Sequence, residues 1–293
     1  GVPAKALEFR GSTSVLESVA RGAPIAAGGS PLEVRVGHPA IILAPMEGIT
    51  DAPMRALLSR VGGFSHVVSE FIRVSQDPLP RRVFRQEIPE SAHGYRTESG
   101  QWVQPQLLGG DPSRIAASAV AAIETGAPGI DLNFGCPAQT VNRNDGGATL
   151  LKDPRRVEDV VRAVRDVVPT HLPVSAKLRL GWDDPSAILE TTKRAEAGGA
   201  SWITIHARTK TNGYQPPAYW EWIARAKTGV AVPIVANGDI WNVADFRRCR
   251  EVTGCEHFMI GRSALADPWL GLRISRELRG NSSAGAIDAG GQN

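Results

Sequence analysis

The sequence has few of the residues that build metal sites and disulfide frameworks: only three of its 293 residues are cysteine. Cys136, Cys249 and Cys255 show no metal-ligand spacing, and an odd number of cysteines spread along a long chain does not indicate a disulfide framework. We therefore expect a protein of the reducing cytoplasm that binds no metal.

Long apolar runs and a strong charge imbalance are also absent. No stretch approaches the roughly 20 apolar residues of a membrane span, and the N-terminus lacks the basic-then-apolar pattern of a secretion signal. The formal charge of +3 is compatible with a polyanionic partner but too small to establish one. With 42% hydrophobic and 22% charged residues, the composition is ordinary for a soluble globular protein, which is what we predict.

The chain instead shows a regular alternation of two kinds of segment. Eight short apolar runs have the pattern of buried strands: Ile41 to Ala44, His66 to Glu70, Val103 to Leu107, Gly129 to Asn133, Val174 to Leu178, Trp202 to His206, Pro233 to Asn237 and His257 to Ile260. Helices are predicted at Ala52 to Arg60, Pro112 to Glu124, Pro154 to Val167, Ala187 to Ala197, Tyr219 to Ala226, Val243 to Arg250 and Pro268 to Arg279. This alternation predicts an α/β fold, the TIM (β/α)8 barrel with parallel strands.

The two ends of the chain lie outside this alternation. Residues 1–38 are rich in Gly, Ala and Ser, which predicts a frayed or partly helical extension. Residues 280–293 are small and polar and cannot offset the entropy of ordering, so we predict a disordered tail there. The predicted barrel therefore spans residues 39–279, close to the usual barrel length of roughly 250 residues.

The block Asn133-Phe-Gly-Cys136-Pro137 places a lone thiol where the fourth predicted strand opens into a loop. TIM barrels keep their active sites at this end of the strands. Gly135 permits a sharp turn and Pro137 fixes its own φ, so the thiol would sit on a stiff bend that can aim it at a substrate. The alternative is a small buried cysteine that only packs.

Residues at the other strand ends form a chemically coherent set. In chain order they are Pro45, Met46, Glu47, Gln106, Asn133, Lys177, Arg179, His206, Asn237, Gly238, Asp239, Gly261 and Arg262. Because barrels frequently bind a phosphate between the loops after strands seven and eight, the last five residues predict a site for a phosphorylated cofactor. Taken singly, the glycines could be turn residues and Arg262 a surface charge.

Strand alternation puts Lys177 and Arg179 on one face of the fifth predicted strand. Two cations on one barrel face need an anion, so we predict that Lys177 polarises an electron-rich ring and that Arg179 donates to substrate carbonyls. Two alternatives remain open at this point. Lys177 could pair with Asp131 inside the barrel, and His206 could be a satisfied core histidine instead of a substrate donor.

Seven blocks, in this order, resemble the tRNA-dihydrouridine synthases across about residues 40–272. They are Ala44-Pro-Met-Glu-Gly48, Gln106-Leu-Leu-Gly109, Leu132-Asn-Phe-Gly-Cys-Pro137, Lys177-Leu-Arg-Leu-Gly181, His206-Ala-Arg-Thr209, Asn237-Gly-Asp239 and Ile260-Gly-Arg262. Four more are most similar to the bacterial branch that modifies uridine 16 in the D-loop: Ser69-Glu-Phe-Ile-Arg-Val74, Gly147-Ala-Thr-Leu-Leu-Lys-Asp153, Leu180-Gly-Trp182 and Gly254-Cys255.

The resemblance implies an enzyme that uses FMN and NADPH to reduce a tRNA uridine to 5,6-dihydrouridine, and we expect it to be a monomer in the cytoplasm. It implies that hydride from the flavin adds to C6 and that Cys136 delivers a proton to C5. The base would be faced by Asn133, Arg179 and His206. The flavin would be held by Pro45, Met46, Glu47, Gln106, Lys177, Asn237, Gly238, Asp239, Gly261 and Arg262.

A uridine inside folded tRNA must leave its stack to reach such a site, and cations around the barrel mouth must then contact the phosphates. The sequence candidates are Arg73, Arg81, Arg82, Arg85, Arg96, Arg143, Lys152 and Lys210. The chain departs from the family in one respect. Members carry a helical domain after the barrel that grips the tRNA, and no sequence remains for one here, so we expect weak tRNA binding.

Two other functions fit part of the pattern. One is a small-molecule FMN barrel oxidoreductase resembling dihydroorotate dehydrogenase, which also combines a flavin with an active-site acid or base and a lysine. The other is a catalytically weak flavin-binding or RNA-binding remnant. The Asn-Phe-Gly-Cys-Pro and His-Ala-Arg-Thr blocks favour the RNA enzyme, and turnover on tRNA with NADPH would separate the three.

Overall fold

The computed structural model describes residues 32–288, and within them the chain closes into a barrel of eight parallel strands. The strands are β1 (Ile41–Leu43), β2 (His66–Arg73), β3 (Val103–Leu108), β4 (Ile130–Phe134), β5 (Val174–Arg179), β6 (Ile203–His206), β7 (Ile234–Asn237) and β8 (His257–Ile260). Each strand pairs with the next along the chain, and β8 closes the ring by pairing with β1. The predicted TIM barrel is confirmed.

Helices follow the strands and surround the barrel. They are α1 (Ala52–Val61), α2 (Arg81–Glu87), α3 (Pro112–Glu124), α4 (Gln139–Arg143), α5 (Pro154–Val167), α6 (Ile188–Ala197), α7 (Trp220–Lys227), α8 (Val243–Thr253), α9 (Arg262–Ala266) and α10 (Leu270–Asp288). Short 3-10 segments lie at Pro89–His93, Gly147–Lys152 and Pro185–Ala187. Among residues 32–288, none of these helices combines the length and hydropathy needed to cross a membrane.

The sequence missed α2, α4 and α9. The last two span five residues each, which is too short to show a helical period. Helix α2 buries only Phe84, so it has no apolar stripe to read. The predicted strand bounds agree with the structure to within one residue except in β2, which continues to Arg73.

Acidic or amide side chains begin several of the long helices. Asp51 accepts a hydrogen bond from the Met54 backbone at the start of α1, and Asp111 accepts one from the Arg114 backbone at the start of α3. Asp153 does the same for α5, where Pro154 occupies the first helical position. A side-chain oxygen before the helix and a proline just inside it are typical start signals, because they satisfy or remove orphan N–H groups.

Helix α5 shows how the barrel is covered. Its Val157, Val160, Val161 and Val164 are buried. Their spacing of three and four residues forms one apolar stripe of a helix, and this stripe faces the core. The packed interior therefore continues from the barrel strands to the inner faces of the surrounding helices.

The segment before the barrel contributes to its interior. Leu32 and Val34 are buried in a cluster that contains Ile42, Val235 and Met259. Packed structure therefore starts before residue 39, where the sequence placed the boundary of the N-terminal extension. The rest of that predicted extension, residues 1–31, lies outside the described residues.

The last helix, α10, runs from Leu270 to Asp288. It thus passes residue 280, where the sequence placed the start of a disordered tail. The end of that predicted tail, residues 289–293, lies outside the described residues.

Candidate active site

A cavity of about 470 Å³ opens at the carboxyl ends of the barrel strands. All fourteen site residues predicted from the sequence line it, although they come from seven different strands or the loops that follow them. The strand register explains part of this convergence. Arg179 pairs with His206, and His206 pairs with Asn237, so three neighbouring strands present polar side chains at one level of the barrel.

A chain of hydrogen bonds between side chains holds the loop that carries Cys136. The Asp131 carboxylate accepts from the Gln106 amide nitrogen (2.7 Å), and the Gln106 oxygen accepts from the Asn133 amide nitrogen (3.0 Å). The Asn133 oxygen then accepts from the backbone N–H groups of Gly135 and Cys136, at 2.9 and 3.0 Å. Because a carboxylate only accepts, it orients Gln106, and Gln106 in turn orients Asn133.

Cys136 is half-buried at the cavity wall, whereas Cys249 and Cys255 are fully buried in the core. Burial raises the pKa of the Cys136 thiol above its ordinary 9.0, and the negative charge of Glu47 acts in the same direction. A hydrogen bond from the Ala138 backbone and the charge of Arg179 oppose this shift without overcoming it. The thiol is therefore protonated at neutral pH and able to act as an acid.

Lys177 and Asp131 form no direct ion pair, so the structure does not support the paired alternative. Both Asp131 oxygens accept hydrogen bonds from uncharged groups, Gln106 and Ser175. Burial raises the pKa of Asp131 to about 6. Burial and the nearby Arg179 lower the pKa of Lys177 to about 8, so this side chain enters the cavity as a cation whose charge is poorly compensated.

Arg208 is a buried arginine in the wall of the cavity, and sequence reasoning assigned it no role. Its side chain is 0% exposed, and its three nitrogens contact three different groups. One nitrogen lies 3.1 Å from His206 Nε2, one donates to the Gln215 carbonyl (2.8 Å) and one donates to the Asp239 carboxylate (2.5 Å). The sequence had predicted His206 as a site residue. The arginine two positions later in the same His206-Ala-Arg-Thr209 block could have been found from that prediction.

Arg208 fixes the tautomer of His206 and helps to keep its ring neutral. A guanidinium only donates, so Nε2 of His206 must accept, and the ring proton of the neutral imidazole therefore sits on Nδ1. Burial and the surrounding cations Arg179, Lys177 and Arg208 hold the pKa of His206 well below its usual range. His206 is thus a neutral ring with Nε2 satisfied and its proton on Nδ1, and the residue lines the cavity.

The loop after β7 takes an unusual backbone conformation at the cavity. Gly238 has a φ of +120° and Asp239 a φ of +52°. Asp239 is held there by Arg208 and by Arg262, whose guanidinium lies 3.7 Å from the other carboxylate oxygen. A Cβ on Gly238 would lie 3.1 Å from the His206 ring, so glycine is required by conformation and space together.

Two exposed aromatic rings at the cavity were missed by sequence reasoning. Tyr214, in the loop after β6, lies 5.0 Å from the guanidinium groups of both Arg179 and Arg262. Trp241, in the loop after β7, lies 5.3 Å from that of Arg262. Arg179 also donates to the Thr209 and Gly213 carbonyls, which fixes the loop that carries Tyr214. Their position in βα loops of a barrel was the only available signal.

Two of the eight predicted phosphate contacts do not lie at the barrel mouth, so that prediction is wrong for them. Arg96 stacks on Trp102, 3.6 Å from the ring centre, at the entrance to β3. Arg81 pairs with Glu124, the last residue of α3, which leads toward the entrance of β4. Strand entrances lie at the opposite end of a parallel barrel from the cavity.

The described residues contain no group of three or more His, Cys, Asp or Glu side chains that could hold a metal ion. The predicted site residues are a thiol, amides, cations, glycines, a histidine, a proline and a methionine, with Glu47 and Asp239 as the carboxylates. Such a set suits a polar organic ligand with phosphate better than a metal.

Comparison with known sequences relates the chain to enzymes of one family. The sequence profile described as dihydrouridine synthase (Dus) matches residues 42–284. The tRNA-dihydrouridine(16) synthase of Pseudomonas putida is 51% identical over 235 residues, which cover 80% of this chain and 73% of that protein. The protein of the same name from Cupriavidus necator is 48% identical over 243 residues, covering 83% and 76%.

Solved structures with a similar barrel are much more distant in sequence. The old yellow enzyme homologue from Zymomonas mobilis has a TM-score of 0.56 at 13% identity, covering 81% of this chain and 88% of its own. Histamine dehydrogenase from Rhizobium sp. 4-9 has a TM-score of 0.61 at 14% identity, covering 84% and 47%. These two likenesses show the fold alone. The profile match and the sequence identity over about three quarters of each relative go further, and they show that the chain belongs to the dihydrouridine synthase family.

Proposed function

We propose that the chain reduces uridine 16 of the tRNA D-loop to 5,6-dihydrouridine, with FMN as cofactor and NADPH as reductant. Both relatives described above carry the name tRNA-dihydrouridine(16) synthase. One structural observation carries the proposal. A thiol that burial keeps protonated lines the same cavity as a half-buried lysine and a glycine-containing pair of loops suited to a phosphate.

The residues around the cavity fit FMN. A Cβ on Gly261 would lie 3.3 Å from Ala44 Cβ and 3.5 Å from Met46 Sδ, so glycine leaves this wall open to a ligand. The neighbouring Arg262 side chain is 43% exposed and offers guanidinium donors to a phosphate. Deeper in the cavity, the Lys177 ammonium has no ion pair among the described residues, and an electron-rich ring with acceptor atoms would satisfy it.

When bound, FMN supplies the hydride that C6 of uracil accepts. The residues that would hold it are those predicted from the sequence: Pro45, Met46, Glu47, Gln106, Lys177, Asn237, Gly238, Asp239, Gly261 and Arg262. Several of these are themselves fixed by protein contacts. The Asn237 amide donates to the Met259 carbonyl (3.0 Å), and the Gly238 carbonyl accepts from the Trp220 indole (2.8 Å). The site is thus largely preorganised before a ligand binds.

Cys136 is the proton donor in the proposed reaction. Saturating the C5–C6 double bond of uracil requires a proton at C5 as well as a hydride at C6. The raised pKa keeps the thiol in its acid form at neutral pH, and the Asn133 oxygen holds its backbone on the cavity wall. A general acid placed in this way contributes about 10²- to 10⁴-fold to a rate.

Three side chains would face the uracil base. Arg179 uses one terminal nitrogen on the Thr209 and Gly213 carbonyls, and it lines the cavity in which the uracil carbonyls would lie. Neutral His206 offers its Nδ1–H. Asn133 is a special case because its oxygen already holds the thiol loop and one amide hydrogen binds Gln106. Its remaining amide hydrogen is the group that could reach the base.

The partner implied by this chemistry is tRNA with the target uridine extruded from its stack. We also propose that the protein acts as a monomer in the cytoplasm, where its RNA substrate is found. Light scattering of the purified protein in solution checks the first of these two points. Fractionation of cells that carry the tagged chain checks the second.

The decisive experiment is expression of this chain in a host that lacks its own dihydrouridine synthases, followed by mass spectrometry of the tRNA. We expect uridine 16 to gain two hydrogens, and Cys136→Ala to abolish the gain. Dihydrouridine at another position would contradict the proposed site in the tRNA. Oxidation of NADPH by free pyrimidines, with no change in tRNA, would favour the small-molecule barrel oxidoreductase instead.

A further inference from the structure

Three consecutive loops at the cavity end of the barrel bring together two lysines and one tryptophan. Lys152 ends the 3-10 segment after β4, Trp182 lies after β5 and Lys210 lies after β6. Backbone hydrogen bonds join the last two loops, from Lys210 N–H to the Gly181 carbonyl (2.9 Å) and from Thr211 N–H to the Trp182 carbonyl (3.0 Å). These three residues are called the two-lysine platform below.

The platform is connected to the thiol loop. The backbone N–H of Ala148, in the 3-10 segment that ends at Lys152, donates to the Cys136 carbonyl at 3.2 Å. On the other side, the Thr209 carbonyl next to Lys210 accepts from Arg179, which lines the cavity. The platform therefore adjoins the wall that carries both the proposed acid and a proposed base contact, yet none of its three side chains lines the cavity.

Both ammonium groups approach the same indole ring. Lys152 Nζ lies 3.9 Å from the ring centre and Lys210 Nζ lies 4.5 Å from it. Lys152 is exposed, and the other two residues are half-buried, so all three are open to solvent. Attraction to the ring holds each cation in place, but it also holds two like charges close together.

Among the described residues, no carboxylate forms an ion pair with Lys152 or Lys210. Two of the three acidic residues next to the platform are engaged elsewhere, and the third, Asp183, is exposed and pairs with neither lysine. Asp153 contacts Arg155 at 3.3 Å, and Asp184 accepts from the Ser186 hydroxyl at 2.8 Å. Two adjacent cations without an ion-pair partner form a surface that favours a polyanion over a single anion.

We propose that the two-lysine platform docks the phosphodiester backbone of the tRNA on either side of the extruded uridine. The inference rests on the proposed function and extends it from the cavity to the surface. The indole supplies a face on which an unpaired neighbouring base can stack, and the lysines contact the flanking phosphates. A ligand that reaches both the cavity and the platform must extend outside the cavity, which a nucleic-acid strand does.

The two lysines differ in position from other cations that the sequence analysis predicted as phosphate contacts. Arg96 and Arg81 lie near strand entrances, at the far end of the barrel, and each already has a partner. Lys152 and Lys210 lie at the end where the base must enter. Their proposed role therefore depends on their position. Removing two positive charges elsewhere on the surface should not weaken tRNA binding in the same way.

The test compares two double variants with the same change in net charge. The first is Lys152→Gln with Lys210→Gln. The control is Lys193→Gln with Lys227→Gln: both lysines are exposed, Lys227 ends α7 just before the loop into β7, and Lys193 lies beside Gly229 of that loop. Equilibrium binding of an unmodified tRNA transcript is measured across a series of KCl concentrations for both variants and for the unaltered protein.

The platform variant should lose at least about tenfold in tRNA affinity near physiological salt. Its slope of log K against log salt should become shallower by roughly 1 to 2, because each lost phosphate contact removes about 0.7 to 0.9. The control should keep both the affinity and the slope. Reduction of bound flavin by NADPH should be unchanged in both variants, which shows that the fold and the cofactor site are intact.

A tryptophan series examines the stacking part of the platform. Trp182→Phe keeps an aromatic face and should retain most of the affinity, whereas Trp182→Leu should lose severalfold. Quenching of Trp182 fluorescence by tRNA, identified as the signal absent from the Phe variant, reports contact directly. Equal affinity in the Phe and Leu variants, with no quenching, would remove Trp182 from the proposal.

The outcomes separate this inference from the proposed function. Equal tRNA binding by the platform and control variants overturns the platform, and so does an effect confined to the KM for NADPH, which would assign the lysines to the dinucleotide. Platform-dependent binding of tRNA without any dihydrouridine formed overturns the proposed function alone. Absence of salt-dependent tRNA binding in the unaltered protein overturns the platform whatever the chemistry.

Discussion

The two sides of the cavity are held by different kinds of contact. On the thiol side, uncharged amides link Gln106 and Asn133 to the backbone of Cys136. On the side of the β7 and β8 loops, Arg208 and Arg262 flank the Asp239 carboxylate. Amides fix geometry without adding a full charge next to the thiol, while two arginines around one carboxylate leave the net positive charge that favours a phosphate. Each side of the cavity is thus held by the kind of contact that suits the chemistry proposed for it.

The strongest test of this comparison removes the thiol. Cys136→Ala should slow tRNA-dependent reoxidation of the reduced flavin by roughly 10²- to 10⁴-fold, the size of a general-acid contribution. Flavin reduction by NADPH should be unchanged, because no contact on the Arg208 side is altered. Stopped-flow absorbance of the flavin measures the two half-reactions separately.

Cys255→Ala is the matched control, since that thiol is buried in the core away from the cavity. It should leave both half-reactions unchanged and affect only thermal stability. Equal loss of both half-reactions in Cys136→Ala would assign Cys136 to packing.

The opposite side is tested by removing its buried cation. Arg208→Met leaves the Asp239 carboxylate without its main partner and frees His206 Nε2, so unfolding free energy should fall by about 3 to 5 kcal/mol. FMN affinity should fall at least about tenfold as the β7 loop relaxes. Denaturant titration and fluorescence titration with FMN measure the two effects.

The control is Arg247→Met, which breaks a two-point Arg–Glu277 pair on the surface. Because the Arg247 side chain is 66% exposed, we expect less than about 1 kcal/mol and no change in FMN affinity. Equal destabilisation by both variants would mean that the buried position of Arg208 has no special importance.

A smaller effect is expected where the amide chain meets the thiol loop. Asn133→Ala removes the acceptor for two backbone N–H groups, so Cys136 should be less well aimed. We expect tRNA-dependent reoxidation to slow by roughly 10- to 100-fold, with FMN affinity changed less than about threefold. Pre-steady-state kinetics with saturating tRNA provides the measurement.

Asn133→Asp refines this test. A carboxylate keeps the acceptor for the two backbone groups but cannot donate to Gln106, and its charge raises the pKa of Cys136 further. Its reoxidation rate should lie between those of the parent and the Ala variant. A rate below that of Asn133→Ala would show that the neutrality of this side matters more than its geometry.

The smallest expected effect is the pH dependence of the chemical step. The acid form of Cys136 is the active one, and burial raises its pKa above 9.0, so the thiol loses its proton only at higher pH. Single-turnover reoxidation should therefore change less than about twofold between pH 7 and pH 8.5 and fall above pH 9. A fall centred near pH 7 would indicate a thiolate and contradict the role of acid.

Much of this architecture could be predicted from the sequence, because barrel strands are short continuous apolar runs and their carboxyl ends must converge. That rule alone placed Lys177, His206 and Arg262 around one cavity. The partners of these residues could not be read in the same way. That Asp131 binds Gln106 and Ser175 instead of Lys177 depends on side-chain geometry inside the ring.

Contacts between residues that follow different strands could not be predicted from the sequence either. Arg208 lies two residues after His206 and reaches Asp239 in the loop after the next strand, a link that the pairing of β6 with β7 brings about. Arg81 and Arg96 show the opposite error. Their charge suggested the mouth, but their positions relative to the strand entrances put them at the other end.

The closure of the ring determines when the protein can become functional during its synthesis. Strand β1 pairs with β8, and a hydrogen bond between Ala40 and His257 spans 217 residues of sequence. A ribosome must therefore release nearly the whole barrel before the first and last strands can meet, and such long-range pairing is slow to form. Met46 follows the first strand and Arg262 follows the last, so these two cavity residues come together only when the barrel closes. A nascent chain therefore cannot bind its ligand early. The cavity can therefore be complete only after the last strand has been made and paired, and a bound ligand would then stabilise the closed barrel.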